Sequence, residues 1–160
     1  MFLRTETSNE KKIIGIRHTM SFANNTTGEL FRSFMMRRNE IQHRTNSELL
    51  CVHNYPEGFF RGINPTIPFE KWAAAEVSSF DAVPDGMETA TIPAGLYAVF
   101  LFKGAPASAG PFYLNIYTNW FPSSGYTLDL RPNFDVLGSK YRNNDPDSEE
   151  ETWIPIKSQK

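Results

Sequence analysis

The sequence predicts an α+β fold in which an antiparallel sheet carries two helices on one side. Strand-like segments occur in runs, interrupted by only two helix-like stretches, and this order is typical of α+β proteins. Residues 96–102 are apolar at every position, with Leu96, Ala98 and Phe100 on one face and Tyr97, Val99 and Leu101 on the other. A strand that is apolar on both faces is covered on both sides. We therefore expect a central strand here, and a pocket where the two halves of the chain meet across the sheet.

Length and composition limit the possible function classes. The chain has 160 residues, enough for one well-packed core and too few for two ordinary large domains. Its 16 basic and 18 acidic side chains give no basic excess of the kind that binds nucleic acid. The single cysteine, Cys51, excludes an internal disulfide and fits a reducing compartment, and its apolar neighbours favour a buried, inert thiol. With no membrane-length apolar run and no signal-peptide pattern, we expect a cytoplasmic protein.

The first half reads as strand, helix and two strands. Residues 1–10 are polar and are predicted to be a disordered N-terminus, ahead of a strand at 11–18. Thr26 and Glu29 have the capping-box spacing, which predicts a helix that runs to about residue 43. Strands follow at 48–54 and 69–77, separated by a loop at 55–65 that is rich in turn residues and carries three aromatic side chains. Such loops often act as lids or binding loops.

The second half repeats the pattern. Its first strand occupies 87–103, with a bend at Pro93 because proline cannot donate to a strand ladder. Ser108 is positioned to cap a second helix with an apolar stripe, which ends near Gly125. The remaining strands are predicted at 126–130, 134–141 and 151–157, with a solvated acidic turn at 142–150.

Several segments together resemble the GyrI-like small-molecule-binding domain. This is the effector-binding domain of AraC- and MerR-type multidrug regulators, also found alone as gyrase-inhibitor-like proteins. The resemblance covers a single domain at about residues 11–157. It is carried by Phe69–Val77, Val83–Glu88, Ile92–Phe100, Ile116–Tyr126, Arg131–Val136 and Trp153–Lys157.

The resemblance implies two strand-helix-strand-strand units, at about 11–80 and 81–157, related by a pseudo-twofold axis. They form a curved antiparallel sheet with a central cleft between the helices. In the regulators this cleft binds lipophilic, often cationic compounds through aromatic walls and a buried carboxylate. The family's acidic residue falls at Asp135, where Glu is usual, so the arm is about one methylene shorter. Because no helix-turn-helix segment precedes the domain, we expect the stand-alone form, without direct nucleic-acid contact and with a regulator or gyrase as possible protein partner.

The candidate ligand-binding residues are two carboxylates and a set of aromatic side chains. Asp135 is a candidate through the resemblance, and Glu76 because it shares a strand face with Trp72. A buried carboxylate among aromatics is costly unless a cation or hydrogen-bond donor pairs with it, so a cationic ligand is a natural complement. For both carboxylates, solvation or pairing with arginine is the open alternative. The candidate wall residues, for which core packing is the alternative, are Trp72, Tyr97, Phe112, Tyr117, Trp120 and Trp153, and Phe59 and Phe60 are candidates for a lid.

The sequence leaves the function open between binding and chemistry. The favoured hypothesis is a binding protein that senses or sequesters a lipophilic small molecule, with a cation as the expected ligand. The alternatives are a small-molecule hydrolase that uses a pocket carboxylate to activate water, and a protein inhibitor of the gyrase-inhibitor type. His18, His43 and His53 lack metal-ligand spacing, and nucleophile-elbow, phosphate-loop and dinucleotide motifs are absent. The sequence therefore predicts neither a metal nor a cofactor and identifies no catalytic residue.

Overall fold

A curled antiparallel sheet organises the computed structural model, which describes residues 1–61 and 64–159. Within these ranges the sheet has nine strands in the order β1-β6-β9-β8-β3-β4-β2-β5, with β7 paired to the end of β9. The strands are β1 (Phe2–Ser8), β2 (Lys11–Met20), β3 (Leu49–Asn54), β4 (Phe69–Val77), β5 (Glu88–Ile92), β6 (Gly95–Lys103), β7 (Tyr126–Leu128), β8 (Asn133–Leu137) and β9 (Glu149–Ser158). The predicted α+β class is confirmed. The predicted loop at 55–65 is described except at Gly62 and Ile63, which lie outside these ranges.

Two helical stretches interrupt the strands where the sequence predicts them. The first is α1 (Thr27–Arg37), which passes into a 3-10 turn at Arg38–Glu40 and so ends earlier than predicted. The second consists of α2 (Ala109–Asn115), a π-helical segment (Ile116–Trp120) and α3 (Phe121–Ser124). Among the described residues, no helix combines the length and the apolar character needed to cross a membrane.

Two local predictions at the N-terminal end are wrong. Thr26 does not cap α1 through its side chain; instead the Thr27 N–H donates to Asn25 Oδ1 at 3.0 Å. The N-terminus is not disordered, because β1 pairs along β6, with Thr5 opposite Ala98. The polar side chains of β1 suit an edge strand, while its backbone supplies the partners that β6 needs on the side away from β9. β6 is thus a central strand, as its alternation predicts.

The sheet curls because consecutive strands occupy its distant ends. β5 is one edge strand, whereas β6 is second from the other edge, and only Pro93 and Ala94 connect them. The sheet must therefore bend round to bring its ends together. The inside of the curl is filled by one apolar cluster, made mainly of Ile13, Leu50, Val52, Trp72, Ala74, Ile92, Tyr97, Val99, Phe134 and Trp153.

The opposite face of the sheet carries both helical stretches. α1 packs through Leu30 and Phe34 on a core formed with β2 and β4. The second stretch packs through Ile116 on the β6 and β9 side chains. β3 and β8 run between these two cores, so the helix-facing side chains of β3 and β8 form the floor of a cleft between the helices.

Candidate functional site

Three chemically active side chains form the centre of the cleft floor. On β3, Leu50 and Val52 point into the curl, so Cys51 and His53 face the helices. Asp135 on β8 lies opposite Cys51 in the strand register and faces the same way. His53 Nε2 lies 3.1 Å from Asp135 Oδ2 and 3.6 Å from Cys51 Sγ. All three residues are buried, with exposed fractions of 6–8%.

The Asp135 carboxylate is held by neutral donors. Burial lowers the pKa of His53, and its hydrogen bond to Asp135 opposes this shift, so the imidazole is neutral near pH 7 and donates through Nε2. The Tyr55 hydroxyl then donates to His53 Nδ1 at 3.3 Å, and the Tyr113 hydroxyl donates to the other Asp135 oxygen at 3.5 Å. Among the side chains that the structure describes, no lysine or arginine nitrogen lies within 4.0 Å of this carboxylate. Asp135 is therefore a buried acid without a cationic partner at ion-pair distance.

Two further ionisable groups, Glu150 and Lys71, lie near this centre. Burial, and next the charge of Asp135, raise the pKa of Glu150 to about 8, while Lys71 opposes the shift. Lys71 is itself buried, and its ammonium donates to Thr27 Oγ1 at 2.8 Å. The floor thus concentrates acidic groups in a poorly solvated region.

The Glu150 shift predicts a pH dependence of stability. In the unfolded chain a glutamate ionises near pH 4.5, whereas folded Glu150 holds its proton up to about pH 8. The native state therefore binds more protons between these values, and stability falls as the pH rises. We expect the free energy of unfolding in urea to drop by about 3 kcal/mol between about pH 5.5 and about pH 8.5 through this group. Glu150→Gln should flatten the slope and the exposed control Glu10→Gln should not; an unchanged slope in Glu150→Gln would remove this assignment.

Aromatic side chains close the cleft above Asp135. Tyr55 stacks on His53 with ring centroids 5.7 Å apart. Phe60, from the same loop, stacks on Tyr117 of the π-helical segment at 4.5 Å. Tyr117 in turn stacks on Phe121 at 5.6 Å. The loop after β3 therefore reaches across the floor to the second helical stretch and forms a roof.

An open groove borders this roof. It has a volume of about 510 Å³ and is lined by the loop at residues 55–60, by Tyr117 and Phe121, and by residues 126–131 and Asn133. Asn133 precedes Asp135 by two residues on the same face of β8, and its amide donates to the Tyr117 hydroxyl at 3.5 Å. Tyr55 and Tyr117 line the groove and also surround the floor, so these two rings separate the groove from Asp135.

Only some of the predicted site residues meet here. Asp135, Tyr117 and Phe60 do, whereas Phe59 is buried on the α1 side, where it packs against Phe22 and Phe69. Phe59 therefore anchors the loop rather than covering the floor.

Four predicted residues lie on the other face of the sheet. Trp72, Tyr97 and Trp153 belong to the cluster inside the curl, because strand alternation turns them away from the helices. The cation over the Tyr97 ring is the protein's own, the guanidinium of Arg131 at 4.6 Å. Glu76 shares this face and pairs with Lys11 at 3.5 Å. The expectation that these side chains reach the cleft is corrected by the structure.

The remaining two candidates, Phe112 and Trp120, pack in the core. Phe112 packs against Phe102 with centroids 4.9 Å apart, and Trp120 packs against Phe100 at 5.1 Å. Both rings point from the second helical stretch toward the β6 side of the sheet, so core packing accounts for them.

Sequence reasoning missed four side chains at the centre of the site: Cys51, His53, Tyr55 and Tyr113. The sequence contained a signal for three of them. Cys51, His53 and Tyr55 are spaced two residues apart along a strand and its end, and alternate residues of a strand share a face. The pairing of β3 with β8, which brings this face to Asp135, is a long-range feature.

The geometry does not fit a cysteine nucleophile. In a nucleophile–histidine–acid triad the histidine contacts the nucleophile and the acid through different ring nitrogens. Here Nε2 is the atom near both Cys51 and Asp135. Burial also raises the pKa of the Cys51 thiol, so the thiolate is scarce at neutral pH.

Comparison with known proteins gives a consistent family assignment. The sequence model of the GyrI-like small molecule binding domain matches residues 1–157. The transcriptional regulator BrlR of Pseudomonas aeruginosa is 27% identical over 148 residues, which are 90% of this chain and 51% of BrlR. The chain therefore spans about half the length of this relative.

Solved structures share the fold. The C-terminal domain of EcmrR is 11% identical, with a TM-score of 0.71, and the match covers 99% of both chains. SAV2435, solved bound to tetraphenylphosphonium, is 14% identical with a TM-score of 0.68, and covers 98% of this chain and 94% of its own. At these identities the likeness establishes the fold.

Proposed function

The chain belongs to the family of GyrI-like small-molecule-binding domains, and on that premise we propose that it binds lipophilic organic cations in the cleft between its helical stretches. The observation that carries this proposal is the Asp135 carboxylate, which is 6% exposed and hydrogen-bonded only to neutral donors among the described residues. The bound cation supplies the charge that this acid lacks.

Burial of the Asp135 carboxylate has a desolvation cost. A carboxylate removed from water loses hydration that hydrogen bonds from neutral groups replace only in part. A ligand cation that comes close to Asp135 regains part of that loss. A hydrophilic cation would lose its own hydration on entry, whereas a charge shielded by apolar groups loses much less. Lipophilic cations are therefore the favoured class.

The roof supplies the matching surface. Tyr55, Phe60 and Tyr117 present ring faces, which attract cations and apolar groups alike. Phe60 is 38% exposed, so its stack on Tyr117 can open without disrupting the core. A groove of about 510 Å³ lies within the range of drug-sized pockets. In this proposal the ligand enters from the groove, displaces the roof rings and pairs with Asp135.

The relatives support this choice of ligand. SAV2435 has the same fold and was solved with tetraphenylphosphonium, a lipophilic cation. BrlR is a transcriptional regulator, and the portion that matches covers 90% of this chain. We propose that this protein senses or sequesters such compounds in the cytoplasm. The cleft holds the ligand, and any nucleic-acid contact belongs to other proteins or other domains.

Titration with tetraphenylphosphonium tests the proposal. Isothermal titration calorimetry should give saturable binding at one site. At 100 times the dissociation constant, the melting temperature should rise by about 5–10 °C. Triphenylphosphine oxide, a neutral compound with similar rings, should bind more weakly. Equal binding of the two compounds, or no binding of the cation, would contradict the proposal.

A further inference from the structure

The buried centre of the cleft floor has the donor set of a transition-metal site. Cys51 Sγ, His53 Nε2 and an Asp135 carboxylate oxygen all lie within 4.8 Å of one another. Each is a common protein ligand of zinc, and the three come from two adjacent strands of a central sheet. Rigid strands fix ligand positions more closely than loops do.

Two of the three donor separations are close to the edges of a zinc tetrahedron. Zinc–sulfur bonds of about 2.3 Å and zinc–nitrogen bonds of about 2.0–2.1 Å place the two donors about 3.5–3.6 Å apart. The nitrogen–oxygen edge is about 3.3–3.4 Å by the same geometry. The observed distances are 3.6 Å from Cys51 Sγ to His53 Nε2, and 3.1 Å from His53 Nε2 to Asp135 Oδ2. These two separations differ from the tetrahedral edges by up to about 0.3 Å, and the Asp135 oxygen lies within 4.8 Å of Cys51 Sγ.

We propose that Cys51, His53 and Asp135 bind one zinc ion, or a similar divalent transition metal, in the cleft floor. A thiolate and a carboxylate balance the charge of the ion, which suits a buried position. Three protein donors leave the fourth tetrahedral position for water or for a coordinating group of a ligand. Through this site the protein could therefore also bind small molecules that carry a metal-coordinating group.

The surrounding hydrogen bonds suit metal-bound side chains. With Nε2 on the metal, His53 carries its proton on Nδ1, where the Tyr55 oxygen lies 3.3 Å away and accepts it. The Tyr113 hydroxyl donates to the carboxylate oxygen of Asp135 that does not face His53. Metal-bound imidazoles and carboxylates usually have such outer partners, which orient them.

The metal and an organic cation compete for Asp135. Coordination of zinc neutralises the carboxylate that the proposed function assigns to the ligand cation. Zinc-loaded protein should therefore bind tetraphenylphosphonium more weakly than chelator-treated protein. The metal proposal does not require that competition, because it rests on the three donors alone.

Cobalt titration of the chelator-treated full chain tests the site. One equivalent of Co²⁺ should produce the intense near-ultraviolet absorption of a thiolate–cobalt bond, and Zn²⁺ should abolish it. Cys51→Ser and Asp135→Asn should each weaken metal binding by at least about tenfold, as loss of a ligand or of its outer partner does. His18→Gln, which removes a histidine outside the cluster, should bind metal as the native chain does.

Two results would overturn the proposal. Absence of the thiolate band in the native chain, or unchanged metal affinity in Cys51→Ser, would contradict it. Circular dichroism and melting curves of metal-free variants establish whether they fold; if Cys51→Ser does not fold, Asp135→Asn decides. The two proposals fail separately, because the thiolate–cobalt band of the native chain is read without any organic cation, and tetraphenylphosphonium binding is read by calorimetry on the chelator-treated native chain.

Discussion

Replacing Asp135 by Asn should lower the affinity for tetraphenylphosphonium by about 30-fold or more. The substitution keeps the shape of the side chain and removes its charge, so the organic cation loses the acidic partner proposed for it. Removing one partner of a desolvated charge pair costs about 2–5 kcal/mol, and the lower bound corresponds to this factor. Calorimetry on chelator-treated protein measures the change without interference from metal. Triphenylphosphine oxide should lose less than about threefold, because its binding depends on ring contacts.

Glu76 offers a matched control for this experiment. It is also a partly buried carboxylate on a sheet strand, but it faces away from the helices and pairs with Lys11. Glu76→Gln should change the affinity for the cation by less than about twofold. A similar loss in both variants, or a similar loss for cation and neutral compound in Asp135→Asn, would show that charge pairing at Asp135 does not drive binding.

Replacing Gly15 by Ala should destabilise the fold by about 3 kcal/mol or more. Gly15 lies in β2 between β4 and β5, opposite Ala74. A β-carbon at Gly15 would clash with the Ala73 carbonyl oxygen and would lie 2.7 Å from the Ala74 Cα. These are backbone atoms of a central strand, so β2 and β4 must separate to relieve the clash. Urea unfolding should show the loss, with a melting temperature lower by about 6–12 °C.

Gly28 is the matched control for Gly15. It lies in the first turn of α1, is exposed, and an added β-carbon would meet no atom within 4 Å. Gly28→Ala should stabilise the protein by a few tenths of a kcal/mol up to about 1 kcal/mol, because it restricts the unfolded chain. Native-like stability of Gly15→Ala would mean that β2 and β4 do not approach as closely as the structure has them.

Local alternation made much of the fold predictable from the sequence. The apolar run at residues 96–102 indicated a central strand, and β6 lies between β1 and β9. Pro93 marked the break between β5 and β6. Asp135 was identified through the family resemblance, and the structure places it in the floor between the helical stretches. These features depend on short-range patterns or on motifs.

The parts that the sequence did not predict depend on strand pairing across the chain. Strand alternation tells which residues share a face but not which face meets the helices, and so Trp72 and Tyr97 were assigned to the cleft. His53 becomes a partner of Asp135 only because β3 pairs with β8. The polar N-terminus is ordered for a related reason, because β1 pairs with the edge of β6 that β9 does not occupy.

The position of β9 has a consequence for how the protein is made. β9 follows every other strand along the described chain, yet it pairs with β6, β7 and β8 and so joins the two halves of the sheet. Until residues 149–158 have left the ribosome, no strand joins β6 to β8. During that time β8, which carries Asp135, can pair only with β3. The nascent chain can therefore form α1 with β2–β4 early, but the cleft is assembled only after residues 149–158 have been made. During that interval the unfinished sheet exposes apolar strand edges, which are the surfaces that chaperones bind.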